Sequence, residues 1–159
     1  MPVGTIIGLA FLIFVGVTIF KGVRIVPQGY KWIVQRLGKY HATLSPGLNF
    51  VIPYVDEVAY KVTTKDIVLD IPSQEVITRD NAVLVMNAVA YINLTTPEKA
   101  VYGIENYTWA IQNLVQTSLR SIVGEMDLDD ALSSRDHIKA KLKAAISDDI
   151  SDWGITLKT

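Results

Sequence analysis

The sequence has no cysteine, only two histidines, and no acidic residue before Asp56. Without cysteine there are no disulfides, no thiolate metal sites and no thiol nucleophile. His41 and His137 lie far apart in the chain, and two distant imidazoles do not make a zinc site of the usual kinds. Phosphate-cradling glycine patterns are also missing, since neither G-x-x-x-x-G-K-[ST] nor G-x-G-x-x-G occurs. Ser45 has His41 nearby but no acid partner and no nucleophile elbow, so beside Pro46 it suits a turn. Asp129-Asp130 and Asp148-Asp149 are adjacent pairs; on a helix such neighbours point about 100° apart and form no acid/base dyad. The expectation is a non-enzyme with no catalytic residue, cofactor or metal. A net charge of -1 gives no sign of a nucleic-acid partner.

What is present is a long apolar run at the start. Val3 to Phe20 carries no charge and only two threonines, with Val3, Ile6, Leu9, Phe11, Leu12, Phe14 and Phe20 among its large side chains. About 18 residues at 1.5 Å rise nearly cover a hydrocarbon core of roughly 30 Å, so residues 1–24 read as a membrane anchor. A cleaved signal is disfavoured by the absence of a basic n-region and by Lys21-Gly22-Val23, which is no small-residue cleavage site. A buried core helix would need protein on every side. A hairpin that enters and leaves one leaflet stays open beside the single span, because three glycines lie in the run. Gly4, Gly8 and Gly16 share one helical face, which suits either packing against another span or the general frequency of glycine in membrane helices.

Charge is unevenly spread. Residues 21 to 55 hold five basic side chains, Lys21, Arg24, Lys31, Arg36 and Lys39, and no acidic one. Basic residues stay on the cytoplasmic side, so the expected topology is single-pass in the inner (plasma) membrane, N-terminus outside and the remaining domain cytoplasmic. The same five residues are candidates for anionic lipid headgroups, each worth roughly 1 kcal/mol near the surface, or they serve topology alone.

Residues 25–159 read as one α+β domain. Pro27 and Gly29 mark a turn out of the bilayer, and Trp32 to Leu37 with a partner from Tyr40 suggests a hairpin turned at Gly38-Lys39. Tyr30 and Trp32 suit either the headgroup level or the domain core. Leu48 to Ile52, bracketed by Pro46-Gly47 and Pro53, reads as an edge segment or a membrane-contacting loop. Strands follow at Val58–Val62, at Ile67–Ile71 up to a break at Pro72, at Glu75–Thr78, and at Val83–Leu94, in an antiparallel meander. On the last, Leu84, Met86, Ala88, Ala90, Ile92 and Leu94 form an apolar face expected to meet helices. Arg79-Asp80-Asn81, in the connection before it, is either structural or a subunit contact.

From Thr96 the period becomes helical. Thr96 as N-cap and Pro97 open a helix ending at Gly103, and a second spans Thr108–Val123 with Gly124 as its stop. Its mainly apolar stripe runs through Ile111, Leu114, Val115, Ser118, Leu119, Ile122 and Val123. Asp127 to Leu132 reads as a capped turn; Ser133 and Asp136 approximate a capping box for a third helix from Ser134 to Trp153, with Ile138, Leu142, Ile146 and Ile150 on one side. Gly154 closes it, and Ile155–Lys158 suits a final strand.

Several short motifs in order carry a resemblance: Val26-Pro27-Gln28-Gly29-Tyr30, Leu44-Ser45-Pro46-Gly47-Leu48, Asp70-Ile71-Pro72-Ser73-Gln74-Glu75, Thr78-Arg79-Asp80-Asn81-Ala82, Arg120 to Gly124, Leu132-Ser133-Ser134-Arg135-Asp136 and Trp153-Gly154-Ile155. Together they resemble the stomatin/prohibitin (SPFH, band 7) family, and within it the bacterial paraslipin-type members. The resemblance implies a non-enzymatic scaffold at the bilayer, ring or cage-like homo-oligomers, and lateral organisation of a membrane microdomain. It also implies partners such as membrane AAA proteases or NfeD-type membrane proteins; a regulatory subunit of such a protease is the alternative reading. Members of the family continue past the Trp-Gly-Ile strand into a charged helical region that drives assembly, and the expectation here is an SPFH domain without it.

Overall fold

The computed structural model describes residues 2–158. Its chain forms two compact units, residues 1–63 and residues 64–159.

The first unit begins with α1 (Val3–Gly22), two residues longer than the apolar run alone, and passes directly into β1 (Val23–Val26). Then come β2 (Tyr30–Arg36), β3 (Lys39–Leu44), β4 (Gly47–Phe50) and β5 (Asp56–Thr63). Leu37 and Gly38 join β2 to β3 with φ of 53° and 82°. Two consecutive positive values are the mark of a type I′ turn, whose twist matches that of the flanking strands. The hairpin was legible; its neighbours were not. β5 pairs with β2 instead of continuing a meander, giving the order β3-β2-β5, and β4 returns to pair antiparallel with β1 as a separate ribbon. Val26, Val34, Leu44 and Val51 form the buried core of this unit, with Trp32 and Val58 packed on it. Trp32 therefore belongs to the core, and Lys61 Nζ lies 4.6 Å from its ring centroid, while Tyr30 is 38% exposed.

The second unit holds β6 (Ile67–Ile77), β7 (Val83–Leu94), α2 (Pro97–Gly103), α3 (Tyr107–Gly124), α4 (Leu128–Ser133), α5 (Arg135–Ser151) and β8 (Ile155–Leu157). Its sheet is antiparallel, in the order β6-β7-β8. Pro72 does not break β6. The register steps from Ile71↔Ala88 to Gln74↔Met86, so one extra residue bulges out, and proline's missing N–H falls where no ladder bond is needed. Beyond the bulge, Gln74 binds α3 twice: its amide donates to the Gln116 carbonyl at 3.0 Å and accepts from Arg120 at 3.1 Å.

The apolar face expected on β7 is the inner one. Ala90, Ile92 and Leu94 are buried, Leu84 and Met86 pack against a core of Val76, Leu119, Val123, Ala131 and Ile138, and Val83, Val85 and Val89 face outward. Ile111, Val115, Leu119 and Val123 of α3 and Ile138, Ile146 and Ile150 of α5 are buried at the predicted helical spacing. The caps differ from expectation. Asn106 caps α3 by accepting from the Trp109 N–H, and Gly124 is its last helical residue instead of a left-handed stop. The capping box is absent: Ser133 Oγ donates to the Asp129 carbonyl, and neither Ser134 nor Thr96 makes a side-chain cap bond. Gly154 does close the segment after α5, at φ 68°, where a Cβ would lie 2.5 Å from the Thr96 carbonyl oxygen.

Candidate membrane interface

Twenty residues at 1.5 Å make α1 about 30 Å long, the thickness of a hydrocarbon core. None of its residues from Val3 to Phe20 is buried; Phe11, Leu12 and Phe20 are 65%, 70% and 84% exposed. Its two hydroxyls are satisfied within the helix. Thr5 donates to the Pro2 carbonyl at 2.7 Å and Thr18 to the Phe14 carbonyl at 2.8 Å, so neither is orphaned in an apolar surround. The glycine face is open, with nothing within 4 Å of a Cβ placed at Gly4, Gly8 or Gly16.

At its C-terminal end α1 is fastened to the β1/β4 ribbon. Gly22 is buried, its carbonyl accepts from the Val51 N–H at 2.7 Å, and a Cβ there would stand 2.6 Å from the Val51 oxygen. Only glycine permits that approach. The ribbon then presents a second apolar surface. Val23 opposes Phe50 and Ile25 opposes Leu48, so these four side chains share one face, and they are 37%, 63%, 70% and 76% exposed respectively. Phe50 and Ile52 face solvent while Val51 lies in the core, which divides the edge segment read from sequence into two roles. Sequence reasoning missed Val23 and Ile25, and had Leu48 only as the start of an edge segment or membrane-contacting loop. The signal was there as a period of two around Arg24 and around Asn49, in segments too short to stand out.

The five juxtamembrane cations have different fates. Arg24 and Lys39 are exposed, Lys31 is half-buried, and Lys21 Nζ lies 5.9 Å from the Tyr54 ring centroid. Arg36 is held inside the unit: Nε and Nη2 donate to the two Asp56 oxygens at 2.7 and 3.2 Å. The Asp56 side chain is only 3% exposed and also accepts from the Ile52 N–H at 3.1 Å. Together these donors pull the Asp56 carboxyl down to about 2, the Arg36 hydrogen bond contributing most.

In the second unit Arg79, Asp80 and Asn81 knit the β6–β7 connection to α4. Arg79 makes a two-pronged pair with Asp127 at 2.7 and 3.1 Å, and its N–H donates to the Met126 carbonyl. Asp80 accepts from the buried Thr78 hydroxyl, a bond that lowers its carboxyl pKa, and Asn81 turns the chain at φ 62°. These contacts lie within the chain.

A family model described as SPFH domain / Band 7 family matches residues 24–159. The chain belongs to that family. An uncharacterized protein of Mycobacterium tuberculosis is 37% identical over 156 residues, covering 96% of this chain and 41% of the relative. Human stomatin-like protein 2, mitochondrial, is 38% identical over 133 residues, which is 84% of this chain and 37% of that protein. An uncharacterized protein of Methanocaldococcus jannaschii is 41% identical over 140 residues, 88% of this chain and 70% of its own length. The SPFH chain thus spans about two fifths of the mycobacterial and human relatives. The family match begins at residue 24, one residue into β1, and so leaves α1 outside it.

Proposed function

We propose that this SPFH protein is a single-pass, membrane-anchored scaffold that assembles with copies of itself into a ring or cage and thereby organises a membrane patch. The observation that carries the reading is the exposed apolar surface of α1 together with that of the β1/β4 face bearing Val23, Ile25, Leu48 and Phe50. Buried in lipid, α1 anchors, and Val23, Ile25, Leu48 and Phe50 seat the ribbon at the headgroup boundary. Lys21, Arg24, Lys31 and Lys39 then meet anionic headgroups, with the N-terminus outside and the SPFH domain cytoplasmic. Arg36, committed to Asp56, contributes no headgroup contact in this reading.

The testing experiment is the mass and composition of the complex extracted from native membranes in mild detergent, using the complete gene product. A large particle made only of this polypeptide is the expected result. A particle containing a membrane protease would favour the regulatory-subunit reading, and a monomer would sink the scaffold. Orientation is tested separately by a reporter fused after residue 159, expected to be active only in the cytoplasm.

A further inference from the structure

The β1/β4 ribbon is amphipathic. Val23, Ile25, Leu48 and Phe50 stand on one face, while Arg24 opposes Asn49 on the other, where the Asn49 amide donates to the Ser45 and Gly47 carbonyls at 2.7 and 3.2 Å. Neither strand pairs with a third among the described residues, so each leaves one row of backbone N–H and C=O groups outside the ladder. Such rows need water or headgroups and cannot enter hydrocarbon. An apolar face on a ribbon with polar edges therefore has one stable depth, the boundary between headgroups and acyl chains.

Aromatic rings mark that level on α1. A Cβ at Gly22 would stand 3.1 Å from Phe50 Cζ, so the Phe50 ring lies against the last helical turn, and the Tyr54 ring centroid is 5.9 Å from Lys21 Nζ. Tyr54 holds φ at 71°, a left-handed value that disfavours a bulky side chain, and with 71% of it exposed, little packing within the chain offsets the strain. A place at the headgroup level does offset it, with the ring in apolar surroundings and the hydroxyl wet.

Ribbon and rings thus belong to one end of α1 and to one leaflet. Two strands about 4.8 Å apart and four residues at about 3.4 Å each cover roughly 130 Å² of that leaflet's surface. Opening such an area among headgroups costs least where the leaflet is stretched, on the convex side of a curved bilayer. The Val51 N–H bond to the Gly22 carbonyl keeps the ribbon against the helix end, so its insertion accompanies every spanning α1.

We propose that the β1/β4 ribbon is a one-leaflet wedge whose partner is a convex lipid surface, concentrating the protein where the leaflet on its domain side is stretched. The inference rests on the anchored reading given above and adds to it a preference among membranes. The wedge reads lipid packing and not charge, because the face that enters carries no charged side chain.

The test inserts the full chain from outside into preformed vesicles of phosphatidylcholine alone, with a dye on the thiol of His137→Cys, an exposed site in a chain without cysteine. Among chains that a membrane-impermeant quencher reaches, surface density should be about threefold higher on vesicles about 50 nm across than on those about 300 nm across. Ile25→Ser/Leu48→Ser strips the face, leaves α1 intact and should bring the two densities level. If that variant does not fold, adding phosphatidylethanolamine, whose small headgroup opens gaps in flat leaflets, should narrow the wild-type ratio instead. Equal wild-type densities in phosphatidylcholine would overturn the wedge, as would a size preference that survives the double variant or a ratio that phosphatidylethanolamine leaves unchanged. An environment-sensitive dye at Phe50→Cys separates this failure from that of the anchored reading. Quenching by nitroxide-headgroup lipid keeps the ribbon at the boundary even if the wedge fails, and no quenching removes both.

Discussion

Replacing Asp56 with Asn removes the anionic half of the β2/β5 ion pair while keeping the side chain's size. At about 1.4 kcal/mol per pH unit, a carboxyl held at about 2 instead of 3.8 contributes at most about 2.5 kcal/mol to folding. Arg36 is 37% exposed, so solvent screening reduces this to about 1 kcal/mol. Because the folded pKa lies below the unfolded one, the stabilisation is complete above about pH 4 and disappears as pH falls toward 2. Hydrogen exchange of the β2 and β5 amides, on the full chain in detergent micelles, reads this locally. About fivefold faster exchange in D56N than in wild type is expected at pH 6, converging on equality near pH 2, with β7 amides unaffected throughout. Equal protection at pH 6, or a difference that persists at pH 2, would refute the assignment of the pair as a pH-dependent clasp.

Other perturbations have equally specific outcomes. Gly22→Ala gains helix propensity but drives a Cβ to 2.6 Å from the Val51 oxygen; the clash wins, costing about 1–3 kcal/mol and raising exchange at the Val51 amide. Leu37→Asn relieves a left-handed, 83% exposed turn residue and should raise the unfolding free energy by about 1 kcal/mol, read as a higher midpoint in a urea titration. Replacing Lys21, Arg24, Lys31 and Lys39 with Gln should weaken association of the SPFH domain with anionic vesicles by roughly 1 kcal/mol per charge at low salt, and less at high salt. Phe50→Asp should reduce binding to neutral vesicles as well, which a purely electrostatic interface would not show.

Elements with a sustained period were legible in the sequence. The alternation along β7 and the spacing of Ile138, Leu142, Ile146 and Ile150 each repeat often enough to reveal one face, and α1 shows by the length of its uninterrupted apolar run. What escaped depends on pairing between distant segments. β1 and β4 have four residues each, too few for a pattern, and form a ribbon only because they meet. The same reason hid the role of Arg36. In sequence it is one more juxtamembrane cation, whereas the register of β2 on β5 sets it opposite Asp56, twenty residues later. Pro72 looked like a terminator because a bulge cannot be told from a break without the partner strand. Arg79 and Asp80 stood out correctly as a polar cluster, but their tie to α4 required knowing where Asp127 lies.

The junction at Gly22 leaves no slack between helix and ribbon. Helical backbone gives way to strand at Val23, and the Val51 bond clamps the change of direction. A head on a flexible stalk explores a volume above the bilayer; one attached by a tether of zero length is confined to a plane at fixed height. In the proposed scaffold, copies whose ribbons are held this way meet in two dimensions, already levelled, and even a weak lateral contact between them acts at high effective concentration.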